Sequence, residues 1–223
     1  MARRARTVAL RADAERNRDL IVEAARRVFA ERGLDVAIEE VARQAGVGVG
    51  TLYRRFPTRA DLIAGAFESK LSVYAEAVEE ALLEPDAWIA FGRYVERVCQ
   101  MQAEDVGFAH VLTMMFPVAK PFEAIRKRAY SGFVELVRRA KATGALREDF
   151  VPEDLPMLLM ANAGVLSVTG ATAPGTSPRL VAYLLQSFAA AGSKRAPLPA
   201  APTSRELFKA MLAVDPLHSR RGR

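Results

Sequence analysis

Along almost the whole chain, apolar side chains return every three or four residues, and prolines stand between the periodic stretches or at their starts. Prolines at 57, 85, 117, 121, 152, 156, 174 and 178, and again at 197, 199, 202 and 216, read as helix boundaries. No alternating run bounded by turn residues reads as a strand. The pattern predicts an all-α protein. The expected helices are 13–32, 38–45, 49–56, 59–83, 86–104, 106–116, 119–143, 153–170, 177–191 and a short one at 203–214. An Ala/Pro/Ser/Gly-rich linker is expected between Ala190 and Ser204.

Composition narrows the class further. At 223 residues, 51% hydrophobic and 26% charged, the chain has ordinary globular make-up. No apolar run reaches the ~18 residues of a membrane span. The arginine-rich start lacks the apolar core of a secretory signal. A single cysteine, Cys99, permits no internal disulfide and fits a reducing cytosol, so a cytoplasmic protein is expected. With only His110 and His218 besides, far apart in sequence, no metal cluster and no cofactor are expected. Charge is unevenly spread. Residues 1–67 carry 13 basic against 9 acidic side chains, residues 68–192 carry 12 against 15, and residues 193–223 carry 7 against 2. Basic ends attract nucleic acid or an anionic surface, or are merely solvated tails; charge alone leaves both open.

The segment from Ile38 to Phe56 decides between them. Two short helices meet at a tight turn containing Gly46, small Ala42 permits close approach, and Val41, Ala45, Val47 and Leu52 supply a shared core. This is helix-turn-helix logic, in which the second helix enters the major groove. Outward from it stand Val49, Thr51, Tyr53, Arg54 and Arg55, a mixture suited to phosphates, guanine edges and thymine methyls. For Arg54, DNA contact and plain solvation are both open readings. For Tyr53 a half-buried packing role is the alternative. Glu39 reads more simply as a solvated glutamate at a helix start than as a cytosine partner. Arg59 opposes the dipole at its helix start, which points to an external anion.

The run from Ile21 to Phe67 resembles the N-terminal domain of TetR-family regulators. The matching features are Ala24 to Gly33, Ile38 to Val47, Gly50 to Arg59, and Asp61-Leu62. The resemblance implies that Tyr53 and Arg59 hold DNA phosphates, that Val49, Gly50 and Thr51 begin the recognition helix with Gly48 at its cap position, and that Arg55 sits where many members contact bases. Gly48 stands where relatives commonly carry Ser, and Ala37 where they carry Thr. Each lacks a side-chain cap, a loss of order 1 kcal/mol at most.

The resemblance also implies organisation. Residues 1–12 are expected as a disordered basic arm, 13–58 as the DNA-binding domain, 59–192 as a ligand-binding and dimerisation domain, and 193–223 as a linker, short helix and basic tail. The arm, with Arg3, Arg4 and Arg6 and then Arg11, Arg16 and Arg18, either tracks DNA or is a non-specific tail. Nothing in 68–192 identifies a reaction: Cys99 and His110 have no third orienting group, so no catalytic residue is assigned. A pocket for a small, largely apolar effector is expected instead. Its candidate lining is Trp88, Phe91, Met101, Phe108, His110, Met114, Met115, Met157 and Asn162, with Gln102 and Thr113 as further polar groups. An ordinary core with methionine as filler is the competing reading. The helices at 153–170 and 177–191 are apolar on more than one face, and relatives pair them with their counterparts in a homodimer. The expected function is a ligand-responsive repressor on an inverted-repeat operator, with helix 4 transmitting the change. The alternatives are a ligand-binding protein or enzyme on the same scaffold without specific DNA binding, and a non-specific basic protein.

Overall fold

The structure, a computed structural model, describes residues 2–113, 120–192 and 198–213. Met114, Met115 and the tail from residue 214 lie outside the described residues. Among the described residues ten helices follow one another: α1 (Ala2–Arg32), α2 (Ile38–Ala45), α3 (Val49–Arg55), α4 (Arg59–Leu82), α5 (Ala87–Glu104), α6 (Val106–Thr113), α7 (Lys120–Ala142), α8 (Asp154–Thr169), α9 (Thr176–Phe188) and α10 (Ser204–Ala213). Among the described residues there is no strand, only an isolated antiparallel bridge between Leu146 and Ala189.

Local chemistry sets most boundaries. Gly33 ends α1 in the left-handed region at φ 79°, and its N–H bonds to the Phe29 carbonyl at 3.0 Å. Thr58 and Asp61 close a reciprocal cap on α4: the Asp61 N–H donates to Thr58 Oγ1, and the Thr58 N–H to Asp61 Oδ2, both at 3.1 Å. Asp86 Oδ1 accepts from the N–H groups of Trp88 and Ile89, each at 2.9 Å, and starts α5. Pro121, Pro156 and Pro178 fall in the first turns of α7, α8 and α9, where a missing N–H leaves no intrahelical bond unmade.

One boundary differs from expectation. Helix α1 begins at Ala2 rather than near Asp13, so the stretch expected as a disordered arm is helical. No Gly or Pro interrupts residues 2–32, and Ala, Arg, Leu and Glu are good helix formers.

The chain divides into two compact units: residues 1–72 with 115–125, and residues 73–114 with 126–223. In the first, α1 packs on α2 and α2 on α3. Ile21, Ala24, Ala25, Val28 and Phe29 bury the inner stripe of α1, and Phe29 stacks on Phe67 with ring centroids 6.3 Å apart. Leu20, at the margin of that stripe, is half exposed. In the second unit, α5 packs on α6, α8 and α9, and α8 on α6, α9 and α10. Its centre is aromatic. Phe91 lies 5.9 Å from Phe133, 5.3 Å from Phe150 and 5.7 Å from Trp88 between ring centroids. Arg139 donates to the carbonyls of Leu82 and Glu84 at 2.7 and 2.8 Å, serving acceptors that the end of α4 leaves without helical partners.

Candidate nucleic-acid interface

The turn between α2 and α3 is built by backbone geometry. Gly46 takes φ 67° at the end of α2, and its own N–H meets the Ala42 and Arg43 carbonyls. The Val47 N–H then bonds to the Ala42 carbonyl at 3.0 Å, turning the chain into α3. Ile38, Val41, Ala42 and Ala45 on α2 and Leu52 on α3 are buried, so the two helices share one apolar seam. Burying that seam fixes what is left outside. Val49, Tyr53, Arg54 and Arg55 are exposed, Tyr53 at 41%, and Thr51 is half-buried. Gly48 precedes α3 in an extended conformation, φ −66°, with no side-chain cap, so side chains leave the first N–H groups of the helix open to an anion.

The basic groups around this face are placed differently from one another. Arg54 donates to Thr51 Oγ1 at 3.0 Å, which lays its guanidinium back along α3. Among the described residues Arg55 has neither an ion pair nor a hydrogen bond. Arg59 donates to the Leu34 carbonyl at 2.5 Å, so an internal partner holds the cation at the start of α4. Arg18, grouped by sequence with the basic arm, lies over the Phe56 ring at 5.7 Å and pairs with Glu68 at 3.2 Å. Glu40 bridges Arg43 at 2.6 Å and Arg32 at 3.1 Å, tying α2 to the end of α1. The Arg43 hydrogen bonds hold its carboxyl down at about 2, with the Arg32 charge acting in the same direction.

In the second unit the residues expected around an effector scatter. Phe91, Met101 and Phe108 are buried, Trp88 and His110 are half-buried, and Met157 is exposed at 58%. Phe91 and Trp88 belong to the central aromatic cluster. The polar groups of Asn162 are met inside the chain: its Nδ2 donates to Gln102 Oε1 at 2.9 Å and its Oδ1 accepts from Ser177 Oγ at 2.7 Å. Gln102 Nε2 in turn donates to the Leu159 carbonyl at 3.1 Å. These bonds stitch α5, α8 and α9 together and remove the need for an external partner at Asn162. Thr113 is likewise satisfied by the Ala109 carbonyl at 2.9 Å.

Cys99 is buried at 2% exposure, and burial, with the Glu96 charge second, pushes its thiol up to about 12. A thiol held protonated is a poor nucleophile. Sequence reasoning did not single out Tyr94 as a polar group; its hydroxyl is buried beside that of Tyr74. The available signal was a phenol on the otherwise apolar stripe of Phe91, Val95 and Val98. Among the described residues no helix is long and apolar enough to cross a membrane.

Known proteins give the geometry its family. A family model for bacterial regulatory proteins of the tetR family matches residues 21–66, which contain α2, α3 and the buried stripe of α1. An HTH-type transcriptional regulator of Staphylococcus aureus (strain USA300) is 35% identical over 66 residues, 29% of this chain and 36% of that protein. The match thus spans about a third of that curated relative. A solved TetR transcriptional regulator from Streptomyces coelicolor is 31% identical, covering 78% of this chain and 99% of that one with a TM-score of 0.50. The fatty acid degradation regulator FadR of Bacillus halodurans shares the fold at 20% identity, over 79% of this chain and 99% of its own, with a TM-score of 0.56. With a helix-turn-helix in the first unit and 31% identity to a Streptomyces regulator over nearly the whole of that protein, the chain belongs to the tetR family of bacterial regulatory proteins.

Proposed function

We propose that the protein is a DNA-binding transcriptional regulator, a repressor that grips an inverted repeat as a homodimer and lets go when a small, largely apolar effector enters its second unit. The observation that carries the reading is the outer face of α3. Tyr53, Arg54 and Arg55 stand exposed there while Leu52 is fully buried, so the helix is anchored by one side and presents the other. Tyr53 and Arg59 take phosphates, and Val49, Thr51 and Arg55 meet base edges. Arg59 can do so while bonded to Leu34, because a guanidinium carries five donors.

Dimerisation is supported by the outer sides of α8 and α9, where Met157, Met160 and Tyr183 are all at least half exposed. Apolar side chains on adjacent helices favour a partner surface, and a two-fold pair presents two copies of α3 to two half-sites. The effector acts by population shift: it moves the equilibrium only as far as it prefers the conformer that binds DNA poorly. The Tyr94 hydroxyl, buried beside that of Tyr74, is the polar group we assign to anchor it. A regulator of this kind acts in the cytoplasm, where its DNA is.

The test is fluorescence anisotropy with an inverted-repeat duplex taken from the adjoining promoter. Tyr53→Ala and Arg55→Ala should each weaken binding about tenfold or more, at about 1–3 kcal/mol per lost contact. Unchanged binding by both variants would leave a ligand-binding protein without specific DNA recognition.

A further inference from the structure

The first unit contains a cavity of about 420 Å³ between α1, the end of α3, the first half of α4 and Ile125 of α7. That volume lies within the ~300–1,000 Å³ usual for small-molecule sites. Phe56, Ala64 and Leu71 give it apolar wall, and Arg18, Arg55, Asp61 and Glu68 give it charge. Gly65 also lines it, and a Cβ there would stand 2.5 Å from Cε1 of Phe56. The glycine therefore lets the Phe56 ring lie against α4 and form that wall.

Three of the four charges are engaged within the chain. Arg18 is paired with Glu68 at 3.2 Å and covers the Phe56 ring. Asp61 accepts from the Thr58 N–H at 3.1 Å and from Thr58 Oγ1 at 2.7 Å, and faces the positive end of α4. Arg55 remains, with no ion pair or hydrogen bond among the described residues. A hollow with an apolar wall and one unengaged guanidinium among its charged groups suits a ligand with an apolar body and a single anionic group.

We propose that this cavity binds a small amphiphilic anion, its carboxylate or sulfonate held by Arg55 and its apolar body against Phe56 and Leu71. Because Arg55 also belongs to the DNA-facing surface, such a ligand competes with DNA for one side chain. It acts on the reading unit directly, apart from any effector in the second unit.

Anilinonaphthalene sulfonate is a suitable probe, titrated into the full-length protein without DNA and followed by NMR of the backbone amides. The Gly65 and Arg55 resonances should shift saturably. Arg55→Gln should weaken the probe about tenfold, as loss of a charge-assisted hydrogen bond predicts. Ala64→Leu, which fills the hollow, should abolish the Gly65 shift, with circular dichroism confirming that the variant is folded; if it is not, Arg55→Gln carries the test. Saturating probe should also weaken wild-type binding to the duplex severalfold. Shifts confined to the second unit, at Gly132 for example, or equal affinity in wild type and Arg55→Gln, would overturn the site. Binding at Gly65 with undiminished DNA affinity would overturn the competition. Since the probe is read without DNA, failure of the site is distinct from failure of the regulator reading.

Discussion

Arg59 donates from the start of α4 to the carbonyl of Leu34, a contact that ties α4 to the turn between α1 and α2. The cation therefore has a structural duty besides any phosphate it holds. Arg59→Ala should lower both stability and DNA affinity, the former by about 1 kcal/mol or more for a lost charge-assisted hydrogen bond. Arg55→Ala should lower DNA affinity while leaving the melting temperature unchanged. Thermal unfolding of the two variants side by side separates the roles, and equal melting temperatures would deny Arg59 its structural part.

Gly132 on α7 faces Val78 on α4. A Cβ at 132 would lie 2.7 and 2.8 Å from the two Val78 methyl carbons, and Val78 is buried at 1%. Both branches of a β-branched side chain are met at once, so no rotamer relieves the clash. Gly132→Ala should destabilise by roughly 1–3 kcal/mol of overpacking, reduced by up to about 1 kcal/mol from better helix propensity. Denaturant unfolding measures it. The double variant with Val78→Ala should recover part of the loss.

Much of this was legible from residues. Helix boundaries at Gly33, Thr58 and Asp86 follow from caps whose chemistry is local, and the buried seam of Val41, Ala45 and Leu52 follows from helical period. Long-range partners were not legible. Nothing local says that Arg59 reaches back to Leu34, that Arg18 covers Phe56, or that Asn162 finds Gln102 and Ser177. The burial of the candidate effector residues was not legible either. Phe91 and Met157 share an apolar character, yet one is at the centre of the core and the other is exposed on α8, and periodicity cannot say which face meets a neighbour. The start of α1 went the other way: arginine-rich sequence suggests a solvated arm, but nothing in it breaks a helix.

Glu40 gives the first unit an acid-sensitive link. Its carboxyl lies at about 2 in the folded chain against an ordinary 4.5, chiefly because Arg43 donates to it. A depressed carboxylate stabilises the fold above its unfolded value, so the contribution is whole above pH 4.5 and drains away as pH falls through about 2. Glu40→Gln should flatten the pH dependence of stability over that window. A variant whose acid profile matches wild type would show the bridge to be without consequence.

Cys99 should be silent to thiol reagents while the protein is folded. Its thiol is pushed up to about 12 by burial, so little thiolate exists at pH 8 and access is closed as well. Reaction with a chromogenic disulfide should appear only as the chain unfolds, at the midpoint seen by circular dichroism. Prompt reaction under native conditions would contradict the packing of α5.

Placing charge on the outer faces of α8 and α9 should separate the protomers. Met160→Lys with Tyr183→Lys puts like charges on helices whose exposed apolar side chains we assign to the partner. Sedimentation equilibrium should show a monomer that keeps its helical content. A dimer that persists unchanged would move the interface elsewhere.

The most direct measurement is selection of genomic DNA fragments by the purified protein at physiological salt, followed by footprinting of the fragments retained. The retained set should share an inverted repeat whose half-sites lie about one helical turn apart, and Tyr53→Ala with Arg55→Ala should erase the enrichment. Retention of fragments without any common sequence, or enrichment that survives both substitutions, would contradict base reading by α3.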